Sequence, residues 1–119
     1  MGITRFEDID AWKEARILVR DIYNLFSSNR DFGFRDQIQR AAVSIMANVA
    51  EGFERQTTKE FIQFLIIARG STAEVQSFLY IALDVEYITK SDFDRLYNQS
   101  QKIQNLINGF IRYLRNSKR

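Results

Sequence analysis

The sequence predicts an all-α protein, specifically an antiparallel up-down-up-down four-helix bundle. Along most of the chain, apolar residues recur at alternating intervals of three and four, which is the period of an amphipathic helix. Proline is absent, and glycine occurs only five times among 119 residues. No stretch of useful length alternates apolar and polar residues as a half-buried strand does. The length fits one domain spanning residues 1–119.

The first two predicted helices are separated by a turn signal. The first runs from about Asp8 to Ser28, and "NRDFG" at 29–33 places Asn, Asp and Gly where a turn favours them. The second runs from about Phe34 to Glu54, and we expect Gly52 to act as its terminator. The residues expected to face the core share helical spacing: Trp12, Ala15, Val19, Ile22 and Phe26 in the first helix, and Ile38, Ala42, Ile45 and Val49 in the second.

The third helix carries two apolar seams. Thr57 followed by Glu60 is a capping box, so this helix begins there and extends to about Glu86. A helix that is apolar on two faces must bury both. We therefore expect one seam to enter the bundle core and the other to form an interface with another subunit. The core seam includes Phe61, Leu65, Ala68, Val75 and Leu79, and the interface seam includes Phe64, Ile67, Phe78 and Ile81.

A second capping box, formed by Thr89 and Asp92, opens the fourth helix. The connections between successive helices are short, and short connections place neighbouring helices antiparallel. The residues of this helix expected to face the core are Phe93, Leu96, Ile103, Ile107, Phe110 and Leu114.

The residue types that the chain lacks exclude several kinds of chemistry. With no cysteine and no histidine, it cannot form disulfides, thiol nucleophiles, Ser-His catalytic pairs or the usual structural zinc sites. We therefore predict a non-enzymatic protein with no metal and no cofactor. The N-terminal stretch lacks the pattern of a signal peptide, and the apolar runs are too short to span a membrane. The sequence thus predicts a cytoplasmic protein with no membrane contact.

The charge is unevenly distributed although the net charge is only +2. All 15 acidic residues and 11 of the 17 basic ones precede residue 95. Basic residues at a helix C-terminus can simply complement the helix dipole. Six basic residues with no acidic residue among them, however, are more than the dipole requires. With Tyr97 and Tyr113 nearby for stacking, this pattern predicts a surface that binds RNA or DNA. The six residues are Arg95, Lys102, Arg112, Arg115, Lys118 and Arg119.

Polar residues interrupt the apolar second helix in "SIMANVAEGFER" at 44–55. In an antiparallel hairpin, residues equidistant from the turn lie at the same level. This places Asn48 beside Trp12, whose indole N–H needs an acceptor if it is buried. It also places Glu74 near Lys102. We interpret these side chains as a structural polar network consisting of Trp12, Asn48, Glu51, Ser71 and Glu74.

A catalytic role for two of these carboxylates is the alternative interpretation of the same residues. Glu51 and Glu74 would have to act as an acid and base pair. Hairpin geometry puts them two to three turns out of level, whereas such pairs lie within about 10 Å of each other. The structural interpretation is therefore favoured over catalysis.

Three segments resemble a bacterial family of four-helix-bundle proteins known from intervening sequences in 23S ribosomal RNA genes. They are "FEDIDAWKEA" at 6–15, "QIQRAAVSIMANVAEG" at 37–52 and "EFIQFLIIARGSTAE" at 60–74. The family also resembles the accessory variability determinant protein of diversity-generating retroelements. The resemblance implies a bundle that assembles as a ring-like homopentamer with a basic surface. For the retroelement relatives, it further implies binding to nucleic acid and to a reverse transcriptase.

Two functional hypotheses follow. The first is a non-enzymatic oligomeric bundle that binds RNA or DNA through its basic surface, as an accessory to a nucleic-acid enzyme such as a reverse transcriptase. The second is a structural or protein-interaction module without a nucleic-acid role, whose interface seam binds another protein. A small-ligand or hydrolase function would require a deep pocket that joins Glu51 or Glu74 to basic residues.

Overall fold

The computed structural model describes residues 2–117, which form a short 3-10 helix and four α-helices. No strand occurs in this part of the chain, so the predicted all-α four-helix bundle is confirmed. None of the helices in this range contains a stretch that is long and apolar enough to cross a membrane. The 3-10 helix is Phe6–Asp8, and the α-helices are α1 (Asp10–Leu25), α2 (Phe32–Phe53), α3 (Thr58–Asp84) and α4 (Lys90–Arg115).

Each helix packs against the next one along the chain, and α4 also packs against α1. Within residues 2–117, no Cα atom of α1 lies within 8 Å of one in α3, and none of α2 lies within 8 Å of one in α4. The contacts between α1 and α4 run in opposite order along the two helices, because Glu14 contacts Lys102 whereas Asp21 contacts Arg95. Neighbouring helices are therefore antiparallel at this seam. The molecule is elongated along the helices and measures 48 × 21 × 19 Å.

Side-chain caps fix where three of the four helices begin. Thr57 Oγ1 accepts a hydrogen bond from the Glu60 backbone N–H at 3.1 Å, and Thr89 Oγ1 accepts one from Asp92 at 3.0 Å. The predicted N-caps at Thr57 and Thr89 are thereby confirmed, but the reciprocal bond of a capping box is not formed in residues 2–117. Glu60 Oε1 accepts from Thr57 Oγ1 at 2.9 Å, and Asp92 lies beside Arg95. Asp31 caps α2 by accepting from the Phe34 N–H at 3.2 Å, so α2 begins two residues before the predicted start.

Gly52 lies inside α2 and does not terminate it, so its predicted role was wrong. The helix continues through Gly52 to Phe53, and the glycine has no positive φ. Its function is to allow close packing of α2 on α3. A Cβ atom at position 52 would lie 2.7 Å from Phe64 Cβ and 2.9 Å from Phe61 Cδ1, which is closer than carbon atoms can approach.

The core between the four helices is apolar and almost fully buried. Its largest fully buried side chains come from all four helices and from the residues that flank α1: Ile9, Leu18, Ile22, Phe26, Ile38, Ile45, Phe61, Leu65, Leu79, Leu96, Ile103 and Ile107. The three of these residues that belong to α3, Phe61, Leu65 and Leu79, are members of the predicted core seam. Two residues of the interface seam of the same helix, Ile67 and Ile81, face outward and are exposed.

A hydrogen bond between two connections closes one end of the bundle. Tyr87 Oη, just after α3, donates to Asp31 Oδ2, just before α2, at 2.6 Å. This bond lowers the pKa of Asp31, with a further contribution from the Phe34 N–H, and it raises the pKa of Tyr87. The preceding residue, Glu86, adopts a left-handed conformation with φ of 64°, which turns the chain so that Tyr87 reaches Asp31.

We expect Tyr87→Phe to lower the melting temperature at neutral pH, because it removes this bond. A carboxylate with a lowered folded-state pKa stabilises the fold above its unfolded pKa of about 3.9 and loses that contribution in more acidic solution. A phenol with a raised pKa stabilises the fold below about pH 10 and loses its contribution as pH rises further. Thermal melts across pH should show the wild-type advantage shrinking at both extremes. An advantage that is constant with pH would contradict this assignment.

Candidate functional site

Three of the polar side chains on α2 and α3 form a hydrogen-bonded cluster between the two helices. Asn48 Nδ2 donates to the Ser44 backbone oxygen at 2.8 Å and to Ser44 Oγ at 2.9 Å. Ser44 Oγ is in turn hydrogen-bonded to Ser71 Oγ at 2.9 Å. Two members of the predicted polar network, Asn48 and Ser71, are therefore joined through Ser44. The cluster fixes the register between α2 and α3.

The other predicted members lie outside this cluster. Trp12 packs its ring edge to face against Phe6 at 5.3 Å, and in residues 2–117 it makes no hydrogen bond to Asn48 or Glu51. No buried side-chain nitrogen or oxygen in this range lacks a partner, and Trp12 itself is only half-buried. Glu51 pairs with Arg55 at 2.9 Å on the surface. The predicted pairing of Trp12 with Asn48 or Glu51 is thus absent.

The surroundings of Glu74 also differ from the prediction. Its side chain is exposed, and none of the ion pairs of the described residues includes it. Lys102, which was predicted to lie near Glu74, instead donates to Glu14 Oε1 of α1 at 2.9 Å. The reason is geometric, since α4 packs against both α3 and α1, and Lys102 lies on the side that faces α1.

Arg95, the first basic residue of the predicted nucleic-acid surface, is likewise paired with acids. Its guanidinium lies 3.7 Å from Asp21 of α1 and 3.5 Å from Asp92 on its own helix. Both Arg95 and Lys102 remain more than half exposed, so they can still approach a phosphate. Their charge, however, is offset by the carboxylates beside them. The two residues therefore add little net positive potential.

The final turns of α4 keep their positive charge. Arg112 and Arg115 are exposed, and neither has an acidic partner among residues 2–117. Tyr113 between them is 49% exposed, whereas Tyr97 stacks on Phe93 at 5.4 Å and is half-buried. Lys118 and Arg119 lie outside the described residues. The predicted basic surface is therefore concentrated at the C-terminal end of α4.

The predicted subunit interface on α3 divides into covered and exposed residues. Phe64 is half-buried under the Arg55 guanidinium at 4.7 Å, and Phe78 is half-buried against Phe34 at 6.0 Å. Ile67 and Ile81 are 51% and 44% exposed. Two of the four residues thus pack within their own chain, and two present apolar surface to the outside.

A catalytic role would need a metal-binding cluster or a pocket that brings the candidate carboxylates together. No group of three or more acidic, histidine or cysteine side chains in residues 2–117 could hold a metal ion. A groove of about 450 Å³ lies between the N-terminal segment and α4, with Ile3, Leu106 and Phe110 on its walls and Asp8 and Asp10 at its rim. It contains neither Glu51 nor Glu74, so it does not join these carboxylates to basic residues.

The hydrogen bond between Ser44 and Ser71 should stabilise the bundle. A double-mutant cycle with Ser44→Ala and Ser71→Ala is expected to give a coupling free energy of about 1 kcal/mol, the usual net value of such a bond. Urea unfolding of the four proteins measures it. If the coupling is zero while RNA or protein binding is lost, the cluster would be a binding site rather than a structural one.

The acidic partners of α4 were missed from the sequence, although a signal for them exists. Glu14 and Asp21 lie seven residues apart, and so do Arg95 and Lys102. Seven residues are close to two helical turns, so each pair lies on one face of its helix. Two antiparallel helices with opposite charges at this matched spacing can form both ion pairs at once, as the structure shows.

Comparison with known proteins identifies similar chains. The model of a family described as 23S rRNA-intervening sequence protein matches residues 7–109. A similar solved structure is the crystal structure of a protein with unknown function from the S23 ribosomal protein family of Bacteroides thetaiotaomicron VPI-5482. It is 28% identical, superposes with a TM-score of 0.80, and the alignment covers 85% of this chain and 97% of that one. A search of the curated proteins found no match.

Proposed function

The chain belongs to the family of 23S rRNA-intervening sequence proteins, and on that premise we propose that it is a non-enzymatic, oligomeric bundle that binds RNA. The related crystal structure is described as a protein with unknown function, so the proposal depends on the chemistry of this chain. Its RNA-binding part and its self-association part have separate supporting observations and separate tests.

The observation that carries RNA binding is the unpaired positive charge at the end of α4. Arg112 and Arg115 are exposed and one turn apart, and no acid of residues 2–117 pairs with either. Such side chains bind phosphate oxygens and release the counterions of the nucleic acid. Exposed Tyr113 adds an aromatic surface on which a base can stack. Lys118 and Arg119 continue the same charge in the sequence.

Self-association is supported by the outer face of α3. Ile67 and Ile81 are 51% and 44% exposed and lie about 21 Å apart along α3 at 1.5 Å per residue. Val85, just after the helix, is 52% exposed. Exposed Glu74 lies on the same face between Ile67 and Ile81, so the apolar side chains form separate patches. Exposed apolar patches on one face support an interaction surface. A second copy of the chain is the proposed partner, and the family resemblance makes five the expected number of subunits. Repetition around a ring would multiply weak RNA contacts.

The RNA-binding proposal is tested by fluorescence anisotropy with a labelled structured RNA and a DNA duplex of equal length. We expect Arg112→Gln/Arg115→Gln to weaken RNA binding several-fold. A matched control is Arg30→Gln/Lys59→Gln, which removes two exposed charges that also lack acidic partners in the described chain. This control should retain binding. Absence of RNA binding by the wild type would overturn the proposal, and preferential binding of the duplex would assign DNA as the ligand.

A protein-interaction module is the second candidate function, and the exposed Ile67 and Ile81 favour it. In that case the exposed apolar side chains of α3 would bind a different protein. The two functions predict different behaviour of the purified chain. A monomer that binds neither RNA nor DNA would favour the module, whereas an oligomer that binds RNA would favour the first proposal.

A further inference from the structure

The ion pairs between α1 and α4 change the charge balance of α1. By sequence, α1 carries three acidic and three basic side chains. Two of its acids, Glu14 and Asp21, are directed toward α4 and paired there with Lys102 and Arg95. The basic residues of α4 thus compensate the acids of α1. The basic residues of α1 are left with little compensation of their own.

These basic residues, Lys13, Arg16 and Arg20, lie on the exposed face of α1. Lys13 and Arg16 have no acidic partner in the described chain. Arg20 is 3.9 Å from Asp21, at the outer limit of an ion pair, and its side chain is 69% exposed. At 1.5 Å per residue the row extends about 10 Å along the helix. It presents a short line of positive charge to solvent.

Trp12 lies at one end of this row and is held in place by its neighbours. The Phe6 ring of the 3-10 helix packs against the Trp12 ring in a T-shaped pair, with centroids 5.3 Å apart and the two planes at 66°. The Arg16 guanidinium lies over the ring at 5.9 Å from its centroid. The indole is only half-buried. A fixed, partly exposed aromatic ring beside cationic side chains is a suitable platform for stacking a nucleic-acid base.

The row and the tryptophan share one groove of about 610 Å³, which also contains Ile17. Its far wall is formed by the N-terminal segment, where Arg5 contributes a further cation. Glu7 also lines this groove, and the Arg5 guanidinium lies 3.7 Å from Glu7 and 3.7 Å from Asp8. The charge of Arg5 is therefore offset. The cations of the groove that remain without a close acidic partner are Lys13 and Arg16, with Arg20 at the limit of an ion pair, and they lie beside one aromatic ring. A polyanion that carries planar aromatic groups would complement it.

We propose that this α1 groove binds a short single-stranded stretch of RNA, with one base on Trp12 and neighbouring phosphates on Lys13 and Arg16. In a duplex, the bases stack on each other and are not free to stack on a protein side chain, so an unpaired segment fits this groove better. The inference rests on the proposed RNA-binding function but assigns a different surface from the end of α4. It also specifies an unpaired segment as the ligand.

The test uses Trp12 as its own reporter, because it is the only tryptophan of the chain. Single-stranded RNA should quench its fluorescence by stacking, whereas a duplex of equal length should quench it less. Heparin supplies negative charge without bases, and poly-glutamate represents an acidic protein partner. Neither should reproduce the quenching. In anisotropy with labelled single-stranded RNA, Lys13→Gln/Arg16→Gln should bind several-fold more weakly, and Arg30→Gln/Lys59→Gln should bind as the wild type does.

Two further variants separate stacking from folding. Trp12→Phe keeps an aromatic ring and should retain most of the affinity, whereas Trp12→Leu should lose it, with thermal melts showing that both proteins are folded. If RNA binds without quenching Trp12 and independently of Lys13 and Arg16, this inference is overturned while the proposed function stands. If no RNA binds at all, both are overturned. Equal quenching by poly-glutamate would assign the groove to an acidic protein instead.

Discussion

Replacing Gly52 with alanine is expected to destabilise the bundle by about 2 kcal/mol, although alanine is the better helix former. The added Cβ would lie 2.7 Å from Phe64 Cβ and 3.3 Å from the Phe61 backbone oxygen. Neither atom is at the end of a flexible side chain, so α2 and α3 would have to separate. Overpacking of this kind costs about 1 to 3 kcal/mol and outweighs a gain of at most about 1 kcal/mol in helix propensity. Urea unfolding measures the difference.

Gly70→Ala is the matched control for this prediction. Gly70 also lies inside a helix, but a Cβ there would have no atom within 4 Å. Since only the propensity changes, the control should be stabilised by up to about 1 kcal/mol. If the two substitutions shifted the free energy of unfolding in the same direction, the proposed close packing at Gly52 would be contradicted.

Ile67→Glu/Ile81→Glu is expected to convert an oligomer into monomers. Both side chains are about half exposed on the outer face of α3, so two carboxylates cost little in the isolated subunit. Buried between subunits, they would be unpaired charges and would strongly disfavour assembly. Light scattering should give a multiple of 14.0 kDa for the wild type and the mass of one chain for the variant. Circular dichroism should show unchanged helix content.

Tyr23→Glu/Phe32→Glu is the matched control, because these residues are 45% and 57% exposed and lie outside α3. It should assemble as the wild type does. A wild-type protein that is monomeric at micromolar concentration would contradict self-association through α3. An oligomer that survives in the Ile67→Glu/Ile81→Glu variant but dissociates in the control would place the interface on another surface.

The fold was predictable from the sequence because its determinants are local. Thr57 and Thr89 cap their helices with the side-chain hydrogen bonds that the sequence implied. The core seam of α3 was identified from helical spacing alone, and Phe61, Leu65 and Leu79 are fully buried. Apolar periodicity, caps and short connections leave few ways to arrange four helices.

The side-chain partners were less predictable, because hairpin geometry gives the level of a residue along the helix but not the neighbour that it faces. Lys102 was placed beside α3 and contacts α1 instead. Asn48 was paired with Trp12 on α1 and instead bonds Ser44 in its own helix. Gly52 was assigned to a helix end because a sequence does not show how closely another backbone approaches. The errors at Lys102 and Asn48 concern the direction in which a residue points around its helix axis. The error at Gly52 concerns the distance between two helices.

The most direct test of the central claim is the salt dependence of RNA binding by the wild-type protein. If phosphate contacts supply the affinity, the logarithm of the binding constant should fall linearly with the logarithm of salt concentration. Two phosphate contacts, as proposed for Arg112 and Arg115, would give a slope of about −1.4 when measured with single-stranded RNA, and further contacts would make it steeper. We predict a slope at least this steep. An affinity that does not change with salt would contradict the proposed function.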